Sequence, residues 1–201
     1  MNRSVDSLID QAVVLLKGSG VVAFPTDTVY GIGVDPFQPE AVRKLYCIKG
    51  RPSDKPIPIL LGAITDVERV AQNLPDLFFQ LAKKFWPGGL TLIVTAKELP
   101  SEVTAGGETV GVRMPNHPLT LDLIRTFGGP IATTSANRSD EPPATSAAAV
   151  RAHLGDFVDL ILDGGQTFTQ IASTVLDLSI SPPQIRRPGG ISADELVSYL
   201  A

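Results

Sequence analysis

The apolar residues of this chain come in short runs, and nearly every run is closed by glycine or proline. The 201 residues include 18 glycines and 17 prolines, so many brief elements must be joined by tight turns. No apolar stretch reaches the roughly 18 residues that a membrane-spanning helix needs. What remains is a soluble-type core assembled from short strands and amphipathic helices. With 43% hydrophobic and 19% charged residues, the chain has enough apolar surface to fold, and a mostly disordered state is excluded.

Helical spacing comes first, with Val5, Leu8, Ile9, Ala12, Val13 and Leu16 on one face, ended by Gly18 and Gly20. Residues 20–24 read as a short buried strand stopped by Pro25. Further helices are predicted over 39–48, 65–73, 77–86, 118–127 and 146–154. Strands are predicted at 56–61, 90–95, 109–114, 130–136, 158–162, 173–178 and 184–187. Ser192 with Glu195 three residues on makes an N-terminal capping box for a last helix. Several strands follow one another without a helix between them. The expected fold is therefore α/β: one domain spanning 1–201, with its core at about 8–197, built as a twisted mixed sheet with flanking helices.

One cysteine, Cys47, and two histidines, His117 and His153, rule out an internal disulfide and make a zinc site from those ligands improbable. Cys47 reads as a small buried apolar residue. Phe78, Phe79, Phe85 and Trp86 read as core. The N-terminus lacks the pattern of a secretory signal, so the expected location is cytoplasmic. A net charge of −4 does not suit strong non-specific nucleic-acid binding, which depends on neutralising phosphates. Any anion site has to be a local basic cluster. There is no P-loop and no Gly-x-Ser-x-Gly elbow. The Gly18–Ala23 segment precedes its strand instead of following it, so it is not a dinucleotide fingerprint.

Several segments carry polar chemistry. Pro25-Thr26-Asp27-Thr28-Val29-Tyr30-Gly31-Ile32-Gly33 packs hydroxyls into a turn after a buried strand, and flexible glycines end it. Such residues either cap the turn or face a small polar ligand. Lys49, Arg51 and Lys55 bring three cations into seven residues, on a backbone fixed by Gly50, Pro52 and Pro56. Arginine offers a planar fork to phosphate oxygens and lysine a point charge. The same charges also suit a helix C-terminus. Thr133-Thr134-Ser135-Ala136-Asn137 ends an apolar strand, a common ligand position in α/β sheets, and Asp140-Glu141-Pro142-Pro143 follows as a rigid loop able to cover a ligand. Arg113 and Arg187 each end a strand, and Ser173-Thr174 opens one. A purely structural alternative pairs Arg113 with Asp27 or Asp122 and leaves Arg187 as a solvated edge charge.

Taken in order, these segments together with Trp86-Pro87-Gly88-Gly89-Leu90-Thr91 and Arg187-Pro188-Gly189 resemble the threonylcarbamoyl-AMP synthase family, also called YrdC-like. The resemblance runs from about residue 8 to 197. The chain stops before the extra C-terminal domain of long members, so it resembles the short bacterial type. The resemblance implies an ATP-dependent nucleotidyltransferase for tRNA threonylcarbamoyladenosine modification. Its substrates would be ATP, L-threonine and bicarbonate or CO2, and its products threonylcarbamoyl-AMP and pyrophosphate, with Mg²⁺ carried on the ATP phosphates and no protein metal site. By resemblance, Lys49 and Arg51 are catalytic, and they hold the nucleotide with Lys55, Thr109, Ser135, Asn137, Pro143 and Arg187. Thr28, Leu60, Arg113, Thr133 and Ser173 form the threonine site. A downstream threonylcarbamoyl-transferase complex is the implied partner. A chain this acidic is not expected to bind tRNA stably. Two further readings are an RNA-binding or ribosome-associated module of the same fold, and a transferase using carbamoyl phosphate. The longer chains of such transferases carry acylphosphatase-like and zinc-finger parts that this sequence lacks.

Overall fold

The apolar stripe of the first segment folds as α1 (Arg3–Lys17), and its Ile9, Ala12, Val13 and Leu16 pack into the core. The computed structural model describes residues 3–139, 141–167 and 171–200. Strands β1 (Val22–Phe24) and β2 (Gly31–Val34) follow, then α2 (Pro39–Lys49) and β3 (Ile59–Leu60). Next come α3 (Asp76–Phe85), β4 (Leu90–Thr95), the short α4 (Ser101–Thr104), β5 (Thr109–Arg113), α5 (Pro118–Phe127) and β6 (Ile131–Ser135). The chain closes with α6 (Ala147–Leu154), β7 (Leu160–Ile161), β8 (Thr174–Asp177), β9 (Gln184–Arg187) and α7 (Ala193–Leu200). No helix of the described residues is long and apolar enough to cross a membrane.

The strands form one nine-stranded sheet in the order β7-β1-β2-β6-β3-β5-β4-β8-β9. Pairs β1–β7, β3–β5 and β4–β8 are parallel; the others are antiparallel. The mixed α/β sheet of the sequence reading is thus the fold. Around β1 both faces are covered. Val21 and Ala23 join the core with α2 and α3, whereas Val22 and Phe24 join the core with α1 and α5. A strand that alternates and is apolar at every position must be buried twice.

The structure corrects several local expectations. The stretch 25–33 was expected to be a turn ended by flexible glycines, yet Gly31 and Gly33 lie inside β2. They are there for space: a Cβ on Gly31 would sit 2.7 Å from Thr133 Cγ2, and one on Gly33 would sit 2.7 Å from Ile131 Cγ2 and 2.8 Å from the Phe24 ring. The strand expected over 56–61 shrinks to two residues because Pro56 and Pro58 have no N–H to give a neighbouring strand. The helix expected over 65–73 is one stretch of 3-10 helix, Ile64–Arg69. Cys47 is exposed, since it lies on the outer side of α2, and Phe79 is exposed while Phe78 and Trp86 are core. The capping box at Ser192 is present: the Glu195 amide donates to Ser192 Oγ and the Ser192 amide to Glu195 Oε2.

Candidate active site

Register and alternation together decide which side chains can meet. Gly31 pairs with Ser135, and Gly33 with Thr133. Leu60 pairs with both Ile131 and Arg113. Val175 pairs with Thr91 and with Arg187. Paired residues in neighbouring strands point to the same face, as do residues two apart in one strand. Thr133, Ser135, Leu60, Gly111, Arg113, Thr91, Ser173 and Arg187 therefore share one face of the sheet. Toward β1 that face is covered by α1 and α5. Toward β9 it carries a cleft of about 350 Å³. The polar residues thus converge across the sheet's face, and the strand termini alone do not make the site.

Ten of the thirteen residues expected at the site line this cleft: Arg51, Ser135, Asn137, Pro143, Arg187, Thr28, Leu60, Arg113, Thr133 and Ser173. Lys55 is exposed on the preceding loop. Thr109 shares the Arg113 face but sits at the other end of β5. Lys49 lies behind the cleft wall, only 3% exposed. Of the loop expected to cover a ligand, Glu141 and Pro143 reach the cleft, and Asp140 lies outside the described residues. Thr91 and Pro58 also line it, although the sequence reading gave them no site role, as does Thr26 of the hydroxyl-rich turn. The signal for Thr91 was the alternation of Leu90, Leu92 and Val94 with Thr91, Ile93 and Thr95: an apolar face backed by a partly polar one.

Arg113 is held from three sides. Its Nε donates to the Gly88 carbonyl (2.9 Å), Nη1 to Thr28 Oγ1 (3.2 Å) and Nη2 to Asp27 Oδ1 (2.6 Å). The Trp86–Gly89 break therefore serves to bring a carbonyl under this arginine. Asp27 also accepts the Asn116 amide at 3.0 Å. Of the two structural partners considered from sequence, Asp27 is the one realised. Burial lowers the Arg113 pKa, while Asp27 opposes that shift. A guanidinium has five N–H donors, so three bonds leave Arg113 with donors for a ligand.

Two hydroxyls and another arginine stand opposite. Ser173 Oγ lies 2.8 Å from Thr91 Oγ1, and Arg187 donates to Ser173 Oγ (3.0 Å) and to the Ser173 carbonyl (2.9 Å). Arg51 donates from Nε to the Lys55 carbonyl (3.1 Å) and from Nη2 to the Pro56 carbonyl (2.9 Å), which folds its own loop back on itself. In the 25–30 turn the two readings divide between neighbours. Thr26 Oγ1 takes the amides of Thr28 and Val29 as a turn cap, and Thr28 is left to face the cleft and Arg113. Among the described residues no group of three His, Cys, Asp or Glu gathers as a metal site.

Fold and cleft define an α/β domain in which three arginines and several hydroxyls line one cleft. The Sua5/YciO/YrdC family, described as "Telomere recombination", matches residues 14–189. The chain belongs to that family. It is 46% identical to the threonylcarbamoyl-AMP synthase of Bacillus subtilis (strain 168) over 197 residues, which are 97% of this chain and 57% of that protein. The crystal structure of P. abyssi Sua5 complexed with L-threonine superposes with a TM-score of 0.93 at 40% identity, covering 95% of this chain and 56% of that one. E. coli YciO superposes with a TM-score of 0.85 at 26% identity, covering 94% and 92%. The chain spans about half the length of the first curated relatives it matches.

Proposed function

We propose that this chain is an L-threonylcarbamoyladenylate synthase, using ATP, L-threonine and bicarbonate or CO2 to make threonylcarbamoyl-AMP and pyrophosphate. The observation that carries this reading is the convergence of Arg51, Arg113 and Arg187, far apart in sequence, on one hydroxyl-lined cleft. The names of the relatives, and the L-threonine in the P. abyssi structure, point the same way.

In this reading Arg113 pairs the carboxylate of threonine, beside Thr28, Leu60, Thr133 and Ser173. Arg51 and Arg187 face the nucleotide with Ser135, Asn137 and Pro143, and Lys55 reaches the phosphates from its loop. The threonine amine captures CO2 as a carbamate, releasing a proton. A carbamate oxygen then attacks the α-phosphorus, and the bond to the β-phosphate oxygen breaks to release pyrophosphate. An anion attacks an anion here, so alignment and fixed positive charge supply most of the acceleration. Mg²⁺ enters as part of the ATP substrate, coordinated by phosphate oxygens. The adenylate product is consumed by a transferase complex acting on tRNA, and the enzyme works in the cytoplasm.

The test is pyrophosphate release from ATP and bicarbonate with and without L-threonine. Strict dependence on threonine is expected, with serine much poorer. Release indifferent to threonine overturns the reading. Arg51→Ala should abolish turnover while the circular dichroism stays unchanged, and near-normal turnover removes Arg51 from the phosphate site.

A further inference from the structure

Lys49 was expected to touch phosphate, but its geometry describes a different role. It is the last residue of α2, a helix anchored in the main core by Ala41, Val42 and Leu45. Its Nζ lies 2.5 Å from the Ser135 carbonyl and 2.6 Å from the Asn137 carbonyl. Ser135 Oγ and Asn137 Oδ1 are farther, at 3.4 and 3.5 Å. An ammonium has three N–H donors. Two go to the carbonyls, and the third faces those two side-chain oxygens. The Lys49 carbonyl meanwhile accepts the Ser139 amide at 2.9 Å. Both ends of one residue thus staple the 135–139 turn to α2.

The turn passes this position on. Asn137 Nδ2 donates to the carbonyls of Arg138 (2.7 Å) and Glu141 (2.8 Å), and Glu141 and Pro143 line the cleft. No carboxylate among the described residues forms a salt bridge with Lys49. Its charge is instead met by carbonyl dipoles, which is costly unless the geometry of those dipoles is held.

We propose that Lys49 is a positioning residue that acts on the nucleotide through Ser135 and Asn137, whose turn it holds in place, without itself touching phosphate. This inference rests on the reading of the cleft as an ATP site.

A double-mutant cycle tests it on the full chain, with steady-state kinetics for Lys49→Met, Asn137→Ala and their double, and calorimetric ATP binding for Lys49→Met, Arg51→Ala and their double. Lys49→Met should raise the KM for ATP by about 10- to 100-fold, the range expected when charge-assisted hydrogen bonds are lost. The KM for L-threonine should stay unchanged. A merely destabilised enzyme would lose active fraction without this split between substrates. Adding Lys49→Met to Asn137→Ala should cost little more than the worse single change, because one acts through the other. Adding it to Arg51→Ala should multiply the two losses in ATP binding, measured by calorimetry. Multiplicative loss with Asn137→Ala overturns the inference, as does an unchanged KM for ATP. If Lys49→Met does not fold, Lys49→Arg takes its place in the same cycle, since a planar fork cannot reproduce both short bonds. The unmodified protein separates the two readings. If it shows no threonine-dependent release, the proposed function fails; if it is active but the cycle is multiplicative, only the role of Lys49 fails.

Discussion

Asp27 and Arg113 lock together at the base of the cleft, and each is poorly exposed, with side-chain accessibilities of 18% and 8%. Removing one partner of such a pair leaves the other charge buried and uncompensated, at a cost of about 3–5 kcal/mol when burial is complete. The Gly88 carbonyl and Thr28 still hold Arg113, so Asp27→Asn should cost about 3 kcal/mol in urea unfolding, the low end of that range. A loss below about 0.5 kcal/mol, the scale of an ordinary surface change, would show that the pair is not needed to bury the arginine. A second residue-scale effect concerns His117. Its Nδ1 is buried without a hydrogen-bond partner, and burial pushes its pKa below the usual 6.5, against a smaller opposing pull from Asp27. The unfolded chain therefore binds this proton more readily than the folded one. Stability that is complete above the unfolded value is lost as pH falls through 6.5 toward the lower folded value. Melting temperature should drop between pH 7 and 5, and His117→Gln should flatten that slope. An unchanged slope assigns the acid sensitivity to other groups.

At the scale of elements, the close contact between β1, β2 and β6 depends on missing side chains. Gly33→Ala would press a methyl against Ile131 and Phe24 at less than 3 Å, with core on both sides. Overpacking of that kind costs about 1–3 kcal/mol, and thermal unfolding should show it without change in the far-ultraviolet spectrum. The helix-ending and strand-forming residues were legible in the sequence because local chemistry sets them: the 3.6-residue stripe of α1, the capping box of α7, the apolar runs of β4 and β6. What was not legible depends on distant partners. Gly31 and Gly33 read as flexible because nothing local says that Thr133, Ile131 and Phe24 crowd them. Lys49 read as a phosphate-holding or helix-end cation because nothing local says that the Ser135 and Asn137 carbonyls, 86 and 88 residues away, lie against its ammonium. Arg113 was legible as an arginine that needs a carboxylate, but the choice of Asp27 over Asp122 was not, because it depends on how the 25–30 turn meets β5. Cys47 was misread because α2 buries one stripe only, and the thiol falls on the other.

At the scale of the whole molecule, a chain that is acidic overall brings three arginines to one cleft. The cleft takes Arg51, Arg113 and Arg187, with Lys49 behind its wall, out of 17 lysines and arginines, against 21 acidic residues in the chain. A surface of that balance repels a polyanion while the cleft still attracts a small one. The alternative reading, an RNA-binding module on this same fold, requires the opposite arrangement, with several lysines and arginines spaced along an exposed face to replace counterions. The two make different predictions in a titration of tRNA across salt concentrations. A protein that neutralises six to ten phosphates loses about 10³- to 10⁵-fold in affinity between 50 and 200 mM salt. For this chain no saturable tRNA binding is expected at 150 mM salt, and whatever binding appears at 20 mM should show a shallow salt slope, equivalent to about one or two phosphates. On the proposed reading ATP should bind under both conditions, because charges in a partly enclosed cleft are screened less by salt than charges on an open face. A steep slope with tight binding at physiological salt would mean that the exposed face contributes what its net charge does not, and the RNA-binding reading would then displace the small-molecule one.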